Sequence, residues 1–145
     1  MPHPPVFRAR MLGVVMAGGV IGVALRELLL LPFVTGAPDS LALTIATAGV
    51  NVIGSFALGV VVGLLRDRHP LARGFLGTGV LGGFTTYSAF AVQTAVLLGS
   101  APLAGIALGV LSVLLGLAAA ALGVRMTGGR RGTEPDTEAS SGAAA

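Results

Sequence analysis

Four apolar runs, each long enough to cross a bilayer, fill most of the chain between Met11 and Val124. A helix rises about 1.5 Å per residue, so about 20 apolar residues span the hydrocarbon core. The runs cover about residues 11–31, 41–65, 75–98 and 103–124. With 54% hydrophobic and 10% charged residues in 145, the chain has more apolar surface than a water-soluble domain of this size can bury. The predicted class is an all-α membrane protein of four transmembrane helices, with a cytoplasmic N-terminal segment (1–10) and a small, polar, disordered cytoplasmic tail (125–145).

A cleaved signal peptide is disfavoured for "MPHPPVFRARMLGVVMAGG". The apolar run continues to Leu31, has no clear small-residue cleavage site and is followed by three more spans. All the basic residues are arginine. Arg8 and Arg10, then Arg66, Arg68 and Arg73, then Arg125, Arg130 and Arg131 fall on one side of a four-span topology. The other side has Asp39 in its loop, and Arg26 near the far end of span one. The positive-inside rule then predicts a multi-pass protein of a prokaryotic plasma membrane with both termini in the cytoplasm. These arginines lack the aromatic interleaving of a nucleic-acid surface, so no nucleic-acid partner is expected.

Several chemistries are excluded. Cysteine is absent, which removes disulfides and thiolate metal sites. His3 and His69 stand alone in flanking segments and make no metal site. "GTGVLG", Gly77 to Gly82, matches a dinucleotide-binding pattern in letters only, because no strand precedes it and it lies inside an apolar span. There are no paired carboxylates, nucleophile elbow or zinc-protease motif, so no enzyme is predicted.

Polar residues within the spans carry the remaining information, because polar groups are costly in lipid. Asn51 lies alone in span two, either as an interhelical hydrogen-bonding group or as part of a polar pathway. Arg26 and Glu27 make either an interfacial pair reaching water or a vestibule in which Arg26 attracts an anion. Ser112 in span four is expected to bond back to its own helix. In span three, "GGFTTYSAF" places Gly82 and Gly83 before Thr85, Thr86 and Ser88. Side-chain-free residues followed by competing hydroxyls predict a helix broken mid-membrane. Carbonyls freed there need a partner that lipid cannot supply, and a cation is an adequate one. An unbroken helix whose glycines admit a neighbour is the alternative. Small-xxx-small pairs recur in every span: Gly18 and Gly22, Gly59 and Gly63, Gly79 and Gly83, Gly105 and Gly109. They predict a closely packed bundle.

"GGVIGVALREL", "GVNVIGSFALG" and "GTGVLGGFTTYSAF" resemble, in order and spacing, the motifs of the Fluc (CrcB) fluoride channels. The resemblance runs from about Gly13 to Val124. It implies a passive, fluoride-specific channel that lets the anion leave the cytoplasm, built as an antiparallel dimer with two pores. It further implies a structural, non-transported Na+ held at the dimer axis by the carbonyls of Gly82 and Thr85. By the same resemblance, Asn51, Tyr87, Ser88, Phe90 and Ser112 belong to the fluoride path and Arg26 to its vestibule. Two positions depart from the family pattern. Tyr87 stands where the family has its first pore phenylalanine, and Leu108 where it has a tyrosine four residues before the serine.

The one-sided arginines add a separate expectation, since a subunit inserting both ways should be charge-balanced. The partner is then either a second copy or a homologous subunit inserted the other way, and this chain either conducts or serves as the scaffold subunit of a heterodimer. A small proton-coupled exporter is the remaining alternative; its only candidate carboxylate, Glu27, sits poorly at a span end.

Overall fold

The structure, a computed structural model, describes residues 5–35, 41–66 and 68–128. His3, Asp39, Arg130, Arg131 and the tail beyond Gly128 lie outside the described residues. Helix α1 spans Pro5–Val34 and α2 spans Leu41–Leu65. A third helical stretch follows in pieces: α3 (Pro70–Arg73), a π-helical segment (Gly74–Leu81), α4 (Gly82–Phe84) and α5 (Tyr87–Ser100). Helix α6 spans Pro102–Gly128. Four stretches are thus long and apolar enough to cross a membrane, making this an all-helical, multi-pass membrane protein.

The helix ends follow from local chemistry. Pro5, Pro70 and Pro102 each open a helix, where a missing N–H costs nothing and φ is already set. Helix α2 ends at Arg66, which adopts φ 43° and donates its N–H to Val62 O at 3.1 Å, a left-handed helix stop. Helix α1 begins earlier than the apolar run alone implied, because Pro5 and the apolar Val6 and Phe7 extend it by over one turn.

Packing is inside out relative to a soluble domain. Leu30 and Val50 are the only large apolar side chains buried among the described residues. Apart from these, Thr47 and Thr86, every buried described residue is a glycine. Lipid provides no hydrophobic drive between helices, so association rests on close backbone contact. On α1, Gly18 and Gly22 meet Gly79, Val80 and Phe84, while Gly83 meets Gly19 and Val23 in return. On α2, Gly59 lies against Ala120 and Gly63 against Thr127; Gly123 of α6 lies against Phe56 and Val60. Two backbone-tight pairs result, α1 with the first half of span three and α2 with α6. Helix α5 joins them through Gly105 of α6, which sits under Leu98.

The arginines gather at one end of this bundle. Gly74 lies beside Met11 of α1, and Arg66 Nη2 donates to Gly128 O at 3.2 Å, so the start of α1, the α2–α3 turn and the end of α6 are neighbours. Arg8, Arg10, Arg66, Arg68, Arg73 and Arg125 are all exposed there.

A methyl group at Gly22 would fall on Val80 O and within 2.8 Å of Phe84 N, whereas Gly13 has nothing within 4 Å. Gly22→Ala is therefore expected to destabilise the protein by about 1–3 kcal/mol through overpacking, and Gly13→Ala to be neutral or better. Thermal unfolding of the two variants in detergent micelles checks this; equal melting temperatures would refute backbone-tight packing at Gly22.

Candidate functional site

The helical backbone of span three lapses at two residues. Thr85 (φ −78°, ψ 149°) and Thr86 (φ −136°, ψ 114°) are extended, between α4 and α5. Gly82 and Gly83, the residues expected to loosen the helix, are themselves helical, and Gly82 has φ −66°, ψ −35°. Both threonine hydroxyls join the backbone hydrogen bonding on either side of the turn. Thr85 Oγ1 donates to Leu81 O at 2.9 Å, alongside the Thr85 N–H at 3.0 Å. Thr86 Oγ1 accepts from Ala89 N at 3.2 Å, capping the start of α5, and lies 3.2 Å from Ser88 Oγ.

Asn51 secures the extended pair. Its Nδ2 donates to Thr86 O at 3.0 Å and its Oδ1 accepts from Thr86 N at 2.8 Å. A side-chain amide thus replaces a neighbouring strand, satisfying both main-chain groups of a residue only 6% exposed. In a continuous helix the Thr86 N–H would close on Gly82 O. Its turn to Asn51 releases that carbonyl, on a residue that is exposed. The Gly83 carbonyl is also outside the helical ladder; it accepts from Arg26 Nη1 at 3.2 Å.

Arg26 therefore reaches inward. Its side chain is 18% exposed, and its Nε and Nη2 hold Glu27 Oε1 at 3.2 and 2.9 Å. One guanidinium joins the far end of α1 to the interruption in span three and neutralises its neighbouring carboxylate.

Two cavities flank Thr86, which lines both. The smaller, of about 290 Å³, gathers Asn51, Gly82, Thr85, Tyr87, Phe90 and Ser112. Tyr87 and Phe90 sit with ring centroids 6.4 Å apart at 50°, and Tyr87 is 83% exposed. The Ser112 hydroxyl makes no hydrogen bond among the described residues, so the expected bond back to its own helix is not formed and the group is left to the cavity. The larger cavity, of about 610 Å³, is lined by Arg26, Glu27 and Ser88 together with Thr44, Thr47 and Gln93. Of the residues singled out in the sequence, Arg26 and Ser88 thus stand apart from the other six.

The Thr47–Gln93 contact was not foreseen. Gln93 Nε2 donates to Thr47 Oγ1 at 3.2 Å, and Thr47 donates in turn to Leu43 O at 2.9 Å. Gln93 Oε1 is buried without a partner among the described residues. The available signal was spacing: Thr47 lies one helical turn before Asn51, on the same face of α2. No group of three or more His, Asp or Glu side chains is placed to hold a metal among the described residues.

Comparison with known proteins follows the same boundaries. Residues 13–124 match the family described as "CrcB-like protein, Camphor Resistance (CrcB)". The chain is 39% identical over 137 residues to a protein of Leifsonia xyli subsp. xyli named fluoride-specific ion channel FluC 2, covering 84% of this chain and 92% of that one. It is 43% identical over 118 residues to fluoride-specific ion channel FluC of Hyphomonas neptunium, covering 77% and 91%. A FluC of Erythrobacter litoralis is 38% identical over 120 residues, covering 78% and 88%.

Asn51→Ala would strand both main-chain groups of Thr86 in a buried position, each at about 1–3 kcal/mol. We expect a correspondingly lower melting temperature in detergent, with Asn51→Asp intermediate because a carboxylate still accepts from the N–H but cannot donate to the carbonyl. A melting temperature unchanged in Asn51→Ala would show that the amide does not hold the interruption.

Proposed function

The chain belongs to the CrcB-like family, and we propose that it is a membrane channel that conducts fluoride passively and so relieves the cytoplasm of it. The observation that carries this reading is the smaller cavity, lined both by the aromatic residues Tyr87 and Phe90 and by Asn51 and Ser112, whose side chains carry hydrogen-bond donors. Fluoride is small and tightly hydrated. To cross an apolar region it needs replacement donors and a wall that admits anions without admitting water. Ring edges carry partial positive charge, and the Ser112 hydroxyl and the second amide hydrogen of Asn51 supply donors. Asn51 acts twice here, bracing Thr86 with one N–H and offering the other to the anion. Arg26, balanced by Glu27 and tied to Gly83, belongs with Ser88 to the wider vestibule on the far side of Thr86. Such a route stores no energy: neutral HF leaks in, ionises in the less acidic cytoplasm, and the trapped anion leaves down its gradient.

The interruption at Thr85 and Thr86 is read as the break of a mid-membrane helix whose Gly82 and Thr85 carbonyls hold a structural Na+. Oxygen ligands suit a hard cation, the Gly82 carbonyl has lost its helical donor to Asn51, and both residues line one cavity. Two carbonyls are too few for a sodium shell, so a second, oppositely oriented subunit supplies the rest. The ion's contribution is charge that neutralises freed carbonyls where lipid cannot.

The arginine end favours a second reading of the assembly. Six exposed arginines at one end of the bundle support one orientation, with that end and both termini in the cytoplasm. An antiparallel partner is then a homologous chain of opposite bias, and Tyr87 and Leu108 make this chain the subunit that completes the partner's scaffold. A proton-coupled exporter gains no support, because its only candidate carboxylate, Glu27, is exposed and ion-paired to Arg26 toward the far end of α1.

Fluoride efflux from liposomes tests both. Flux downhill and indifferent to a pH gradient is expected, while proton-driven uphill transport would overturn the channel reading. Phe90→Ile removes a ring contact of about 1 kcal/mol and is expected to slow flux about fivefold; unchanged flux with a homologous partner present would assign this chain the scaffold role. Robust flux from this chain alone, as an antiparallel homodimer, would overturn the heterodimer.

A further inference from the structure

A third cavity, of about 400 Å³, lies at the arginine end, away from the two beside Thr86. We propose that this groove binds the headgroup of an anionic phospholipid from the surrounding leaflet. Its polar rim is Arg66, Arg73 and Thr78, and its apolar wall is Met11, Val15 and Pro70. The left-handed turn at Arg66 folds the chain so that two arginines seven positions apart converge, with Arg73 Nη1 donating to Arg66 O at 3.3 Å. Arg66 Nη2 is anchored on Gly128 O at 3.2 Å, which fixes the direction of its guanidinium without consuming its other donors. Thr78 lies about one turn beyond Arg73 on the π segment and is exposed.

Guanidinium groups match phosphate oxygens in a planar, two-point fashion. A free phosphate would use only the rim. A phospholipid uses the wall as well, since its phosphate meets the arginines while its glycerol and first acyl carbons lie along Met11 and Val15. The position suits this occupant: the groove sits where α1, α2 and the third span leave the apolar zone and exposed arginines begin. Basic pockets between transmembrane helices at such a level attract anionic headgroups, at about fivefold in affinity per arginine. The lipid would clamp α1 to the π segment from outside, and this inference does not depend on what the protein conducts.

Native mass spectrometry of the full-length chain in detergent, titrated with phosphatidylglycerol or with phosphatidylcholine of the same acyl chains, provides the test. Preferential retention of phosphatidylglycerol is expected, falling roughly 25-fold in Arg66→Gln/Arg73→Gln and largely kept in Arg66→Lys/Arg73→Lys. Arg68→Gln/Arg125→Gln, at the same end but outside the groove, should retain it. Equal retention of both lipids, equal loss in the two Gln pairs, or displacement by inorganic phosphate at matched concentration would each overturn the proposal. If the first pair does not fold, Thr78→Trp decides: it fills the groove from its exposed rim, and retained phosphatidylglycerol preference would overturn the site.

Discussion

The rest of the site depends on one side-chain amide. Asn51 gives Thr86 both a donor and an acceptor, and only with that exchange can two residues in the middle of an apolar helix leave the helical ladder without stranding buried polar groups. Three features follow from it. The Gly82 carbonyl loses its helical donor, α5 restarts with Thr86 as its cap, and Tyr87 and Phe90 emerge in the first turn of a fresh helix. Without the amide, both main-chain groups of Thr86 would be left unpaired in a buried position. A single hydrogen-bonded pair therefore sets the site.

The glycines make that pair possible. Asn51 can reach Thr86 only if α2 and span three come close, and Gly54, three residues on, lies directly under the Thr85 methyl and the Phe84 ring. On the other side, Gly18, Gly22, Gly79 and Gly83 let α1 approach until Arg26 reaches the Gly83 carbonyl. Small residues at these contacts are the membrane counterpart of a jigsaw core. They supply proximity, and the hydrogen bonds then supply direction.

Much of this was legible in the sequence and some was not, for reasons that differ. The four spans follow from length and hydropathy alone, which is why α2 falls on residues 41–65 in both readings. The glycine pairs were visible as spacings, but not which helix each would meet; pairing is a tertiary choice that spacing does not encode. An interruption near "GGFTTYSAF" was readable from competing hydroxyls, yet its place was not. The glycines stay helical because nothing pulls them out, whereas the threonines leave because Asn51, 35 residues away, offers Thr86 something better. The π-helical Gly74–Leu81 had no local signature, and for the Thr47–Gln93 bond only the spacing of Thr47 from Asn51 hinted at Thr47, not at its partner. The first takes its form from a glycine-rich run pressed against α1, and the second joins elements 46 residues apart.

The polar groups exposed beside the interruption bear on assembly more directly than the apolar surface does. Exposed leucines and valines need only lipid, but Gly82, Tyr87 and Ser88 are exposed beside the interruption, mid-way along span three. Acyl chains cannot satisfy a carbonyl released from its ladder, a phenol or a hydroxyl. Water in a polar cavity, a bound ion or protein can supply those partners. Cyclic pairing of parallel copies would leave every arginine end in one leaflet, which the positive-inside rule permits; antiparallel pairing of identical chains would put six described arginines on the disfavoured side of one copy. Since the charge bias opposes the second arrangement, an antiparallel assembly around this interruption calls for a partner whose own basic residues lie at its opposite end.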